Sequence, residues 1–131
     1  MKTGFYIWIA LALLAGSLVA CQPSNETIKI SDQDAGRVIT IKNGDTLIIE
    51  LEGNITTGFN WIPAPQNPVL LDQAGQPEVT PVSDQVGAPG KIILQFKAVA
   101  QGQTILHLDY KRSWETSVAP EKTYEVTIIV K

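Results

Sequence analysis

Apolar and polar residues alternate along most of this chain with a period of two, the spacing of a β-strand that buries one face. The alternation is plainest in segments 46–52, 91–100 and 123–130, where every second residue is apolar or Tyr. Beyond residue 21, no segment repeats its apolar residues at the 3.6-residue spacing of an amphipathic helix. The sequence therefore predicts an all-β domain.

Gly, Pro and Asn turns divide the chain into seven or eight short strands. They are predicted at 37–42, 46–52, 60–62, 69–71, 76–83, 91–100, 103–111 and 123–130. Two prolines make 76–83 at best an edge strand, and Asn43-Gly44 is a typical hairpin signal between the first two strands. The predicted inward side chains are Leu47, Ile49, Leu51, Ile92, Leu94, Phe96, Ala98, Leu106, Leu108, Tyr110, Tyr124, Val126, Ile128 and Val130. This pattern predicts an antiparallel β-sandwich of the immunoglobulin-like type.

The N-terminal segment is typical of a secretory signal. Lys2 precedes an apolar run from Phe5 to Val19, which is shorter than the ~20 residues of a membrane-spanning helix. The run ends at Leu-Val-Ala-Cys, which resembles a bacterial lipobox. The resemblance implies a lipoprotein signal peptide over residues 1–20 and a lipidated (palmitate-bearing) Cys21. The alternative is an ordinary signal-peptidase site beside an unmodified thiol.

The lipobox reading also predicts the domain boundaries and the location of the protein. Residues 21–27 form the lipidated cysteine and a short tether, and residues 28–131 form the sandwich domain. Gln22 rather than Asp follows the cysteine, which by resemblance to other lipoproteins implies the outer membrane of a bacterial cell envelope. The lipid holds such a domain at the membrane surface without spanning it.

The charge and cysteine content limit the remaining possibilities. Cys21 is the only cysteine, so no disulfide can form within the chain. From Cys21 onward, 9 basic residues stand against 13 acidic ones, a net charge of −4. This mild acidity argues against nucleic acid as a partner, and nothing in the sequence demands more than a monomer.

The residues needed for catalysis or for metal binding are scarce. His107 is the only histidine, and it shares the outward face of its strand with Asp109. No Ser or Cys nucleophile accompanies this pair in a motif. The sequence contains no zinc, calcium, phosphate-loop or dinucleotide pattern. We therefore predict that the protein is not an enzyme and carries no metal or cofactor.

Three short segments between the predicted strands carry the residue types of a binding surface. They are Asn54-Ile55-Thr56-Thr57-Gly58-Phe59, then Gly87-Ala88-Pro89-Gly90, then Arg112-Ser113-Trp114-Glu115. In the first, the threonines are stiff at χ1 and Gly58 permits a positive φ. The second lacks bulky side chains, and the third offers Arg and Trp, which often dominate interface energetics. Taken alone, each of the first two segments fits an ordinary connecting loop better than a binding loop, and Trp114 fits a cover for the core as well as a displayed residue.

The order of these segments resembles that of the chagasin-like inhibitors of papain-type cysteine peptidases. That family carries an Asn-Pro-Thr-Thr-Gly-aromatic loop, a Gly-x-Gly-Gly loop and an Arg-Pro-Trp loop on an immunoglobulin-like sandwich. The resemblance implies that Thr56, Thr57 and Gly58 enter the peptidase cleft and block its catalytic cysteine and histidine. Asn54, Ile55 and Phe59 of the same segment are also predicted to bind the peptidase, and Phe59 could anchor the base of the loop in the core. It implies that Gly87, Ala88, Pro89 and Gly90 flank one side of the cleft, and that Arg112 and Trp114 flank the other.

The chain departs from the family pattern at three positions: Ile55 and Ser113 replace prolines, and Pro89 replaces a glycine. Each change concerns loop rigidity more than contact chemistry. We predict a reversible, non-covalent inhibitor of papain-type cysteine peptidases. The alternative is a non-inhibitory adhesion or assembly module of the cell envelope that displays the same aromatic residues.

Overall fold

A computed structural model describes residues 24–131; the predicted signal peptide and Cys21 lie outside these residues. The described chain forms nine strands and two short 3-10 turns. The strands are β1 (Thr27–Ser31), β2 (Val38–Ile41), β3 (Thr46–Gly53), β4 (Phe59–Pro63), β5 (Leu71–Gln73), β6 (Glu78–Pro81), β7 (Gly90–Ala98), β8 (Gly102–Arg112) and β9 (Lys122–Val130). The 3-10 turns are Asp32–Asp34 and Ile55–Thr57.

The strands form two sheets that face each other. The first has the order β1-β3-β7-β5, with β6 also paired to β7, and the second has the order β2-β9-β8-β4. The pairs β1–β3 and β2–β9 are parallel, and every other pair is antiparallel. The predicted all-β sandwich of immunoglobulin-like type is confirmed, with nine strands and two parallel pairs at the sheet edges.

The core lies between the sheets and consists of the inward residues of each strand. All fourteen side chains predicted to point inward are buried, and Ile30, Ile41, Trp61, Leu70 and Leu71 join them. The alternation of strand residues between two faces explains why the sequence identifies this set so well. Among the described residues, no helix is long and apolar enough to span a membrane.

The Asn43-Gly44 segment is a turn, but the predicted hairpin is wrong. β2 belongs to one sheet and β3 to the other, so the turn carries the chain between the sheets. The carboxylate of Asp45, 2% exposed, accepts hydrogen bonds from the backbone N–H of Lys42 at 2.7 Å and of Glu26 at 2.9 Å. These bonds tie the turn to the residue that precedes β1. That strand was not predicted, and it begins at Thr27, the last residue of the predicted tether.

Candidate functional site

The strand register places the three predicted segments at one end of the sandwich. Gly53, the last residue of β3, pairs with Gly90, the first residue of β7. Phe59, the first residue of β4, pairs with Arg112, the last residue of β8. We call the connections at this end the first loop (54–58), the second loop (82–89) and the third loop (113–121). The first loop crosses between the sheets, so it lies between the other two.

The first loop is a single 3-10 turn that is capped at both ends. At its start the Asn54 side chain accepts a hydrogen bond from Thr56 N at 3.1 Å and another from the Thr56 hydroxyl. The Thr57 hydroxyl donates to the Asn54 carbonyl at 2.7 Å. At its end Gly58 has φ +83°, a left-handed conformation that favours glycine. The loop is thus held by Asn54 and Gly58, although the residue between the cap and the threonines is Ile55 rather than proline.

Asn54 also joins the first loop to the second. Its side-chain Nδ2 donates to the Gly87 carbonyl at 2.9 Å. The oxygen and the nitrogen of one amide therefore serve two loops at once, which fixes the spacing between them. Ile55, 44% exposed, lies at the tip of the first loop, and with Val86 and Ala88 of the second loop it lines an apolar cleft of about 270 Å³.

Arg112 connects the first loop to the third. Its Nε donates to the Thr57 carbonyl at 2.9 Å, and its Nη1 lies 3.2 Å from a carboxylate oxygen of Glu115. The guanidinium also lies over the Phe59 ring, with Cζ 4.5 Å from the ring centroid. This arrangement combines a charge-assisted hydrogen bond with a cation–π contact.

Trp114 is displayed at the surface. It is 67% exposed, so it does not cover the core. Its ring lies against Gly58, where a side chain would collide with the Trp114 ring atoms. Trp114 and the first loop therefore form one continuous surface, and Gly58 is required there both by its φ and by the closeness of the indole.

Tyr110 supports the first loop from below. Its hydroxyl accepts a 2.8 Å hydrogen bond from Asn54 N. Its ring stacks on Phe59 at 5.2 Å between centroids and contacts Trp61 at 5.1 Å. Trp61 in turn donates from Nε1 to the Glu52 carbonyl at 3.1 Å. Three aromatic rings thus form a stiff base from which the loop projects.

The shifted pKa values in the described residues belong to the framework rather than to the loops. Backbone N–H donors lower the pKa of Asp34 (from Ser31, assisted by Arg37) and of Asp45. Burial raises the pKa of Tyr124 to about 12, with a smaller contribution from the carboxylates of the 3-10 turn after β1. Residues 24–131 contain no cluster of three His, Cys, Asp or Glu side chains able to hold a metal ion.

Most predicted site residues come together, but two have structural positions. Gly90 is the buried first residue of β7, where a side chain would lie 2.8 Å from the Thr80 carbonyl. The structure uses it for close strand pairing, and its predicted place beside the peptidase cleft stays a prediction. Phe59 is half-buried at the base of the first loop, beneath Arg112. The remaining residues of the predicted set lie in or next to the three loops.

Two residues with a direct role at the site were missed as site residues. Tyr110 was predicted only as a core residue, and Glu115 only as the end of a motif. Tyr110 is the last inward residue of β8 before Arg112. It therefore lies next to the loops, and its hydroxyl reaches Asn54. Glu115 follows Arg112 by three residues, a spacing that permits an ion pair across a tight turn.

Comparison with known proteins gives concordant results. The family model of the chagasin family peptidase inhibitor I42 matches residues 40–128. Amoebiasin-2 of Entamoeba histolytica is 25% identical over 103 residues, covering 78% of this chain and 84% of amoebiasin-2.

Two solved structures share the fold. The cysteine protease inhibitor EhICP2 of Entamoeba histolytica superimposes with a TM-score of 0.70 at 21% identity, over 84% of this chain and 100% of EhICP2. PbICP-C, solved in complex with falcipain-2, gives a TM-score of 0.52 at 17% identity, over 82% of this chain and 100% of PbICP-C. Since the family match runs from β2 to β9 and includes all three loops, this chain belongs to the chagasin family of peptidase inhibitors and is not an enzyme.

Proposed function

We propose that this protein inhibits papain-type cysteine peptidases reversibly, by filling the active-site cleft with the first loop while the second and third loops rest on the cleft walls. One observation carries the proposal: the three loops of the family pattern lie together at one end and are linked by hydrogen bonds through Asn54 and Arg112. The family membership of the chain and the falcipain-2 complex of its structural relative PbICP-C support the same function.

The geometry explains how inhibition can occur without covalent chemistry. The first loop is narrow, and the exposed Thr56 and Thr57 stand at its tip. Their hydroxyls already bond to Asn54, so little rotamer entropy remains to be lost on binding. A loop held in a 3-10 turn also differs from the extended peptide that a peptidase cleaves. It can therefore occlude the catalytic cysteine and histidine without presenting a well-placed scissile bond.

The direct test is titration of residues 22–131 against papain and a cathepsin with a fluorogenic substrate. This fragment retains all nine strands and the whole core. We expect reversible inhibition at nanomolar to low-micromolar concentration. A folded domain that does not inhibit at tens of micromolar would refute the proposal for these peptidases and favour the adhesion or assembly module. The display of Trp114 beside the first loop, rather than alone, favours the inhibitor over the adhesion or assembly module.

We also propose that Cys21 is lipidated and that the inhibitor is a monomer anchored in the bacterial cell envelope, at the outer membrane. The lipobox-like sequence that ends at Cys21 supports this proposal. Expression of the full chain in a bacterium with labelled palmitate tests it. We expect the label on the wild-type chain, with the protein in the outer-membrane fraction, and no label on Cys21→Ala. Equal labelling of both chains, or a soluble wild-type chain, would refute the anchor.

A further inference from the structure

The guanidinium of Arg112 is engaged within its own chain. Its Nε bonds to the Thr57 carbonyl, its Nη1 faces Glu115, and its plane covers Phe59. Only about a third of the side chain is exposed, at 35%. The family resemblance predicts that Arg112 flanks the cleft as a contact of the peptidase. Two of its five N–H donors are thus engaged within the chain, and its plane is held against the Phe59 ring, so the position of the guanidinium is set by its own chain before any partner binds.

We propose that Arg112 is a positioning residue that holds the first loop in its binding shape, and that Glu115 is the second anchor of this device. The inference rests on the proposed function for its biological meaning, but the loop shape itself is a property of the free protein. Arg112 would act through Thr57, and Trp114 would remain the part of the third loop that contacts the peptidase.

The Thr57 carbonyl explains why a positioning group is needed. Thr57 is the last residue of the 3-10 turn, and the terminal carbonyls of a helical turn lack partners within the turn. Here the partner is supplied by Arg112, the last residue of β8. Asn54 therefore holds the beginning of the turn while Arg112 holds its end.

The chemistry of arginine also fits this role better than that of lysine. The planar fork can donate to Thr57 with one nitrogen and to Glu115 with another while it stacks on Phe59. A lysine keeps the charge but offers a single mobile ammonium that cannot make these contacts together. Arg112→Lys therefore separates positioning from charge, because a purely electrostatic contact with the peptidase would largely survive it.

The experiment compares five forms of residues 22–131: wild type, Arg112→Lys, Glu115→Gln, the double variant that combines these two substitutions, and the control Lys111→Ala. Lys111 is the neighbouring residue of β8, and its ammonium lies 3.8 Å from Asp109, away from the loops. Amide order parameters from ¹⁵N relaxation report the rigidity of the first loop without any peptidase. Inhibition constants against papain are measured in parallel.

We expect the order parameters of residues 55–58 to fall from about 0.85 to below about 0.7 in Arg112→Lys and by a smaller amount in Glu115→Gln. The amides of β3 and β8 should keep their values, and Lys111→Ala should match wild type. The inhibition constant of Arg112→Lys should rise roughly tenfold, the order expected for one lost charge-assisted hydrogen bond. The double variant should be hardly worse than Arg112→Lys alone, since Glu115 acts through Arg112.

Unchanged loop order parameters in Arg112→Lys would overturn the inference, whether or not inhibition weakens. Weaker inhibition with an unchanged loop would make Arg112 a direct contact of the peptidase. If the wild-type domain does not inhibit papain, the proposed function fails for that peptidase, and the order parameters still decide whether Arg112 positions the loop.

Discussion

The hydroxyl of Tyr110 provides the sharpest test of how the framework supports the first loop. Tyr110→Phe removes one oxygen atom and keeps the ring, so the contacts with Phe59 and Trp61 remain. What disappears is the hydroxyl that accepts a 2.8 Å hydrogen bond from Asn54 N and donates a longer one, at 3.5 Å, to the Asn54 carbonyl. The variant thus removes only the hydroxyl that links β8 to the beginning of the loop.

The size of the effect follows from what replaces that bond. A buried donor left without a partner costs about 1–3 kcal/mol of unfolding free energy. Asn54 and Tyr110 border a cleft of about 270 Å³ that is open to solvent, so water can partly replace the hydroxyl. We therefore expect a loss of about 1–1.5 kcal/mol, which lowers the midpoint of urea unfolding by roughly 0.5–1 M.

Tyr124→Phe is the matched control. Tyr124 is buried in the same sheet, and its hydroxyl donates to the Ser31 carbonyl at 3.0 Å rather than to a loop residue. We expect a comparable or smaller loss of stability and an unchanged inhibition constant against papain. Tyr110→Phe should weaken inhibition several-fold. Equal inhibition by Tyr110→Phe and wild type, despite the lost stability, would refute the claim that this hydroxyl sets the shape of the first loop.

Three further predictions concern the displayed indole, the glycine beneath it and the buried carboxylate. Trp114→Ala should weaken papain inhibition at least tenfold. The free energy of unfolding should change by less than about 0.5 kcal/mol, because the side chain is 67% exposed. Val118 is also exposed in the third loop, and Val118→Ala should change neither the inhibition nor the stability. Gly58→Ala should lower the free energy of unfolding in urea by about 1–2 kcal/mol. Gly75→Ala should cost less, because the φ of Gly75 is +74° but its side-chain position is open. If Gly58→Ala still costs more than Gly75→Ala in a Trp114→Ala background, the extra cost does not come from contact with the indole. The pKa of Asp45 is lowered in the folded state, so the unfolded state binds more protons in acid. The stability that this carboxylate contributes is therefore present above about pH 4 and is lost as the pH falls through the folded pKa. Asp45→Asn should reduce stability at pH 7 and flatten its decline between pH 5 and pH 2, and parallel pH profiles for the two proteins would argue against this origin.

The interior of the sandwich could be predicted because the period-two pattern is local. The alternation within each strand shows which of its faces is buried. The inward residues from Leu47 to Val130 could therefore be predicted without knowing which strands pair. The loop positions were predictable for the same reason, since Gly, Pro and Asn interrupt that pattern. The order of three short motifs then added the family and its fold.

Which strands pair with each other was harder to predict from the sequence. Asn43-Gly44 correctly predicts a turn, yet the strands on its two sides join different sheets. The deciding contacts come from distant parts of the chain: Asn43 N donates to the Lys131 carbonyl, and Gly44 N to the Ala98 carbonyl. A local turn signal cannot specify such partners, because hydrogen bonds between strands depend on tertiary packing.

The same division applies to the site. The residue types of the three loops, with Trp114 and the threonines among the candidates for binding, could be identified from the sequence. The folded chain was needed to show that Asn54 bridges two loops, that Gly90 pairs strands and that Arg112 contacts Thr57 and Glu115. These roles depend on distances between residues more than thirty positions apart, or on the direction of a side chain, and a local pattern of residue types encodes neither quantity.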